Sequence, residues 1–188
     1  MSPVTHALLG WLAANIPKES CRRDRALITA AAVAPDLDGL GALVELATRD
    51  RENPLLWFTE YHHVIHTALF GGVLLAVSLL LAHRRWVTSL LVLASFHLHL
   101  LGDLVGARGP DGYSWPLPYL LPFSDAVQLE WSGQWGLNAW PNFLITGLAL
   151  AATLVLAWRR GFSPVGLFSE RAGIFDISHM GELEVRGP

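Results

Sequence analysis

Nine ionisable side chains stand in stretches that are otherwise apolar or turn-forming: His6, Asp36, Asp38, His62, His63, His66, His97, His99 and Asp103. Such groups are costly at membrane depth, so they face an interior cavity and mark function. Seven of the eight histidines precede residue 100, and six of those seven belong to this set. His83 is the exception, beside Arg84 and Arg85 in a polar turn. Neutral imidazole suits Zn²⁺, Fe or Mn²⁺, and carboxylates offset the charge of the metal and can bridge two ions. A metal held this way lowers the pKa of bound water and yields hydroxide near neutral pH, and two metals could clamp both sides of a phosphoryl centre.

Spacing sorts the candidates. On a helix, His62, His63 and His66 fall within an arc of roughly 100°, and His99 and Asp103 stand one turn apart on one face. His97 and His99 are about 200° apart and cannot serve one site, so His99 is preferred and His97 is expected in a core or interhelical hydrogen bond. Asp36 and Asp38 lie in PDLDG after a helix-ending proline, a pattern that also fits an N-cap and turn. They point the same way only if the chain there is extended. His6, in THALLG, reads either as a ligand or as a packing residue.

These residues need a membrane scaffold. Apolar residues make up 52% of the 188 and charged residues 15%, which argues against an ordinary soluble domain, a disordered chain or a coiled coil. The net charge of −3 offers nothing to nucleic acid, and the single Cys21 excludes a disulfide framework and a cysteine zinc cluster. Stretches 64–82, 86–105 and 143–158 are candidate spans, the last one short, and 4–16 and 26–34 suit half-helices packed inside the bundle. The expected fold is all-α: a polytopic bundle of about three spanning helices plus two shorter ones. MSPVTHALLG lacks a positive n-region, so no cleaved signal peptide is expected. If the clusters Lys18/Arg22/Arg23/Arg25, Arg84/Arg85 and Arg159/Arg160 face the cytoplasm, then Asp36, the Tyr61–His66 run and Asp103 share the opposite, non-cytoplasmic face. Arg49, Arg51 and Arg108 run against that rule.

Between Asp103 and Pro141 the chain is rich in glycine, proline and aromatics, and Trp115, Trp131, Trp135 and Trp140 are half of its eight tryptophans. Such residues anchor at the membrane–water interface. The segment could also form a lid admitting a lipid-like substrate, with Arg108 orienting an anionic head group.

THALLG, APDLDGL, YHHVIHTALFG, HLHLLGDLVGARGPDGYSWPLPYLLPFS and the W-x-x-x-W-x-x-x-x-W run together resemble a family of bacterial inner-membrane metal-dependent hydrolases that includes LexA-regulated members. The resemblance covers about residues 1–168, taken as one membrane-embedded domain. It implies a multi-pass inner-membrane protein with a metal site of His6, Asp36, Asp38, His62 or His63, His66, His99 and Asp103. Family members carry H-R-G-x-T-H where this chain has YHHVIHT, which leaves the first ligand open between His62 and His63. A more distant likeness is to zinc-dependent phospholipase C and related nucleases. The tail, 169–188, is no domain of its own: RAGIFDISHMGELEVRGP resembles a fragment of the aminomethyltransferase of the glycine cleavage system, so Asp176 and His179 stay outside the site.

The leading expectation is a membrane-bound hydrolase of a phosphoester or other ester. It uses one or two divalent ions (Zn, Mn or Fe), with His62 or His63 as general acid–base and Asp38 beside it. Its partners are membrane lipid and a small-molecule or lipid-like ester. The alternatives are a non-catalytic membrane protein whose His and Asp residues satisfy one another, and a b-type cytochrome, which would leave the aspartates unexplained.

Overall fold

A computed structural model describes residues 1–62, 64–109 and 112–161. His63 and the tail with its aminomethyltransferase likeness lie outside them. The described residues form seven α-helices and one 3₁₀ helix, with no strand.

The centre is α6, Arg85–Gly106, about 33 Å long at 1.5 Å per residue. Its buried stripe runs Ser89, Val92, Phe96, His99, Asp103, Gly106, alternating steps of three and four, while Trp86, Leu90 and Leu101 face outward. That spacing keeps one face of a helix inward, so the site residues share the face that packs. Helix α5, Ala68–Leu81, lies along α6, joined by a Ser78–Ser89 hydroxyl hydrogen bond of 2.8 Å and by the Phe96 ring seated on Gly71. Phe96, Leu100 and Leu117 close the core there.

Two helices, α1 (Pro3–Ala14) and α2 (Arg22–Ala31), pack as a pair on α6, with Ala14, Ile28, Ala31 and Val92 between them. Ser2 caps α1, accepting from the Thr5 amide at 3.2 Å, with Pro3 in the first turn where its missing N–H costs nothing. The buried Asp24 of α2 accepts from the amides of His83 (2.8 Å) and Arg84 (3.1 Å) and so fixes the turn into α6. After α2 the chain bends by 53° into the 3₁₀ helix Ala34–Leu40 and α3, Gly41–Thr48. Glu45 of α3 accepts from the amides of Phe58 and Thr59, both at 3.1 Å, and ties down α4, Trp57–Tyr61.

The last helix, α7 (Trp140–Arg159), packs on α1. Residues 112–139 fold back over the end of α6: Gln134 donates to the Asp103 carbonyl (2.8 Å), and Asn142 donates to the carbonyls of Gly106 and Leu137 (both 2.8 Å).

Among the described residues two helices, α6 and α7, are long and apolar enough to cross a membrane, and the bent pair of α2 with Ala34–Thr48 allows a third span. The expected third span, 64–82, is corrected: its helix is only the 14 residues of α5, about 21 Å, because Thr67 caps the helix by accepting from the Phe70 amide and the chain before it is irregular. The three basic clusters gather at one end, where Arg160 binds Asn15 at 2.7 Å and Arg84 pairs with Glu19 at 3.3 Å. Asp103 stands about 27 Å along α6 from Arg85, at the other end.

Candidate metal centre

The 3₁₀ helix divides the two aspartates of PDLDG. At three residues per turn, positions two apart face about 120° apart, so the extended geometry that would aim both one way is absent. Asp36 faces α6, with its Oδ2 3.9 Å from His99 Nδ1. Asp38 faces the connection into α5 and pairs with His62 Nδ1 (3.1 Å) and His66 Nδ1 (3.2 Å). The expected helical arc of His62, His63 and His66 is also corrected: α4 ends at Tyr61 and α5 begins at Ala68, so Asp38, not helical periodicity, brings His62 and His66 together.

Four chain segments converge on Asp103, which is almost fully buried. Its Oδ1 lies 3.2 Å from His6 Nε2 and against the Met1 nitrogen. Its Oδ2 lies 3.0 Å from His99 Nε2 and 3.4 Å from His66 Nε2, and those two nitrogens are 3.1 Å apart. The His6 and His99 rings stack with centroids 3.8 Å apart. Gly102 makes this packing feasible, because a Cβ there would stand 2.9 Å from His6 Cε1. One donor atom from each of His6, Asp36, His99 and Asp103 lies within 4.8 Å of the others.

Proton bookkeeping shows what this geometry demands. His99 Nδ1 is 2.8 Å from the Ala32 carbonyl, which can only accept, so Nδ1 carries the proton and Nε2 of the neutral ring presents a lone pair. His66 Nδ1 likewise faces the Asp38 carboxylate and carries a proton, while its Nε2 faces Asp103 and His99. Two imidazole nitrogens and a carboxylate oxygen therefore meet at hydrogen-bond distance. They attract one another only through a shared proton or cation. Their separations of 3.0, 3.1 and 3.4 Å match the edges kept by donors about 2.1 Å from one ion, about 3.0 Å in an octahedron and about 3.4 Å in a tetrahedron. A carboxylate or carbonyl behind each ligating imidazole is the usual outer shell of a metal site. Asp36 Oδ2 is buried with no hydrogen-bond partner, as an available ligand would be. The residues present fit a divalent ion, and the His/Asp group could hold one.

His97 stands apart on the exposed side of α6, bonded to the Leu93 carbonyl (2.8 Å) and the Tyr119 hydroxyl (2.9 Å). Arg108 is also placed elsewhere: it donates to the Ser132 carbonyl at 2.8 Å and lines a different cavity with Asn138 and Phe143. Sequence reasoning missed the Ala32 carbonyl, Gln134 and Gly102. The first two carry no local signal, but G-x-x-x-G at 102–106 was visible as a small-residue motif for close helix approach.

Comparison with protein-family models matches residues 1–169 to the YdjM inner membrane protein family. No curated protein and no solved structure matches the chain. The family match spans every described helix and every member of the His/Asp group, and the chain belongs to the YdjM inner membrane protein family.

Proposed function

We propose that this protein is a membrane-embedded metal-dependent hydrolase of phosphoesters or other esters. The observation that carries the reading is the convergence of His66 Nε2, His99 Nε2 and Asp103 Oδ2, with edges of 3.0–3.4 Å. His99 and Asp103 are common to this trio and to the His6–Asp36–His99–Asp103 group, and an ion is held by them with donors from one set or the other. A bound zinc, manganese or iron ion supplies Lewis acidity and lowers the pKa of a coordinated water. The Ala32 carbonyl and Asp38 fix the tautomers of His99 and His66. His62, partly exposed and held by Asp38, lines the cavity that opens over Asp36 and Asp103. It is placed to pass a proton to a leaving group. The haem alternative fits poorly, because imidazole nitrogens 3.1 Å apart leave no room for a porphyrin plane between them.

The gathering of basic residues at the far end supports a reading with that end in the cytoplasm and the metal centre on the non-cytoplasmic side. The test is metal content by plasma mass spectrometry on detergent-purified protein, with Asp103→Asn and His99→Gln as shape-preserving variants. Stoichiometric zinc, manganese or iron in the parent, lost in both variants, supports the site and directs a substrate screen to phosphoesters first. Metal-free parent protein after chelator-free purification would leave a structural His/Asp network as the better account.

A further inference from the structure

The cavity above the centre has a volume of about 520 Å³, within the roughly 300–1,000 Å³ usual for small-molecule sites. Asp36, His62 and Asp103 form its polar floor, and its walls are apolar, chiefly Leu40, Leu43, Phe58, Trp115 and Leu137. Among the described residues that line it there is no lysine or arginine. The two carboxylates of the floor are offset by the Met1 ammonium, which lines the same cavity and is held against Asp103. Leu40 and Leu43 line the cavity and are also 57% and 64% exposed, so the wall continues onto the outer apolar surface.

Depth adds the second constraint. The exposed Trp140 and Trp158 of α7 are separated by about 27 Å along the helix, close to the roughly 30 Å of a bilayer core. The contact of Asn142 with the Gly106 carbonyl levels Trp140 with the end of α6. Asp103, about 4.5 Å back along α6, then lies just inside the boundary between hydrocarbon and head groups. The linkage joining a lipid chain to its head group lies at this level.

From these observations we infer that the cavity receives the apolar chain of a membrane amphiphile bearing an ester linkage. The chain enters sideways past Leu40 and Leu43, and its ester linkage comes to rest over Asp36 and Asp103. The inference rests on the hydrolase reading for what happens to the ester, but occupancy by the chain is separable from hydrolysis.

The test uses the full chain in phosphatidylcholine nanodiscs and a monoacylglycerol carrying a diazirine on its chain. After photolysis, mass spectrometry locates the label. Gly39 borders the cavity, and a Cβ there meets nothing within 4 Å, so Gly39→Leu fills space without a backbone clash, and Ala42→Phe is a second filler. The expected result is saturable labelling at Leu40, Leu43, Phe58 or Leu137, reduced about tenfold by either filler while metal content stays at the parent level. Labelling confined to outward positions such as Leu90, Leu148 and Trp158, or undiminished by both fillers, overturns the proposal. Cavity labelling in a protein that binds no metal would uphold the chain site and sink the hydrolase reading alone.

Discussion

Gly102→Ala probes the metal centre without touching a ligand. The added Cβ would stand 2.9 Å from His6 Cε1 and 3.4 Å from Met1 Sδ, so His6 must retreat by about 0.5 Å to reach ordinary contact. It has little room, because its ring stacks on His99 at 3.8 Å and is almost fully buried. The shift would move Nε2 off its 3.2 Å approach to Asp103. Alanine favours a helix by about 1 kcal/mol over glycine, and overpacking costs about 1–3 kcal/mol, so net destabilisation should stay between about 0 and 2 kcal/mol. Metal affinity should fall about 10–100-fold, the loss usual when the support of a ligand is disturbed. The assay is competition for zinc or manganese against a fluorescent chelator in micelles, with circular dichroism as the control for folding. A double-mutant cycle supplies the decisive comparison: in a His6→Ala background, Gly102→Ala should cost little further affinity. A full second loss in that background would show that the effect does not pass through His6, and the placement of His6 at the ion would be refuted.

Asp38→Asn keeps the shape but removes the carboxylate behind His66 and His62; metal affinity should drop about 10–100-fold while the melting temperature changes little, read by the same competition assay and by thermal melts. Asp24→Ala strips the acceptor from the His83 and Arg84 amides and should cost about 0.5–2 kcal/mol in chemical denaturation, with metal content unchanged because the site lies at the other end of α6. Asn142→Leu leaves the Gly106 carbonyl without its 2.8 Å donor and should cost about 1–3 kcal/mol, with faster amide exchange across 134–142 as its signature. A wild-type exchange pattern in Asn142→Leu would remove Asn142 as the latch between α6 and α7.

Helix α6 was the most legible part of the molecule. Its stripe of Ser89, Val92, Phe96, His99, Asp103 and Gly106 follows helical periodicity, which the chain carries locally, so the pairing of His99 with Asp103 and the exclusion of His97 could both be read from spacing. The all-α class and membrane character followed from composition for the same reason: apolar content and period are summed over one chain and need no partner. Periodicity misled where a helix was assumed but a cap ended it, as with Thr67 before α5, and the conformation of PDLDG, left open by its residue types, is a 3₁₀ turn that separates Asp36 from Asp38.

What tertiary structure alone decided is the meeting of distant segments. His6 and Asp103 are 97 positions apart, and nothing local to either predicts that Gly102 will admit the imidazole between them. The Ala32 carbonyl determines which nitrogen of His99 is free, and a backbone oxygen leaves no mark on residue type. The residue types listed the available donors, because ligand chemistry belongs to the side chain. Their aim belongs to packing, since a lone pair points at an ion only after several helices have fixed its ring.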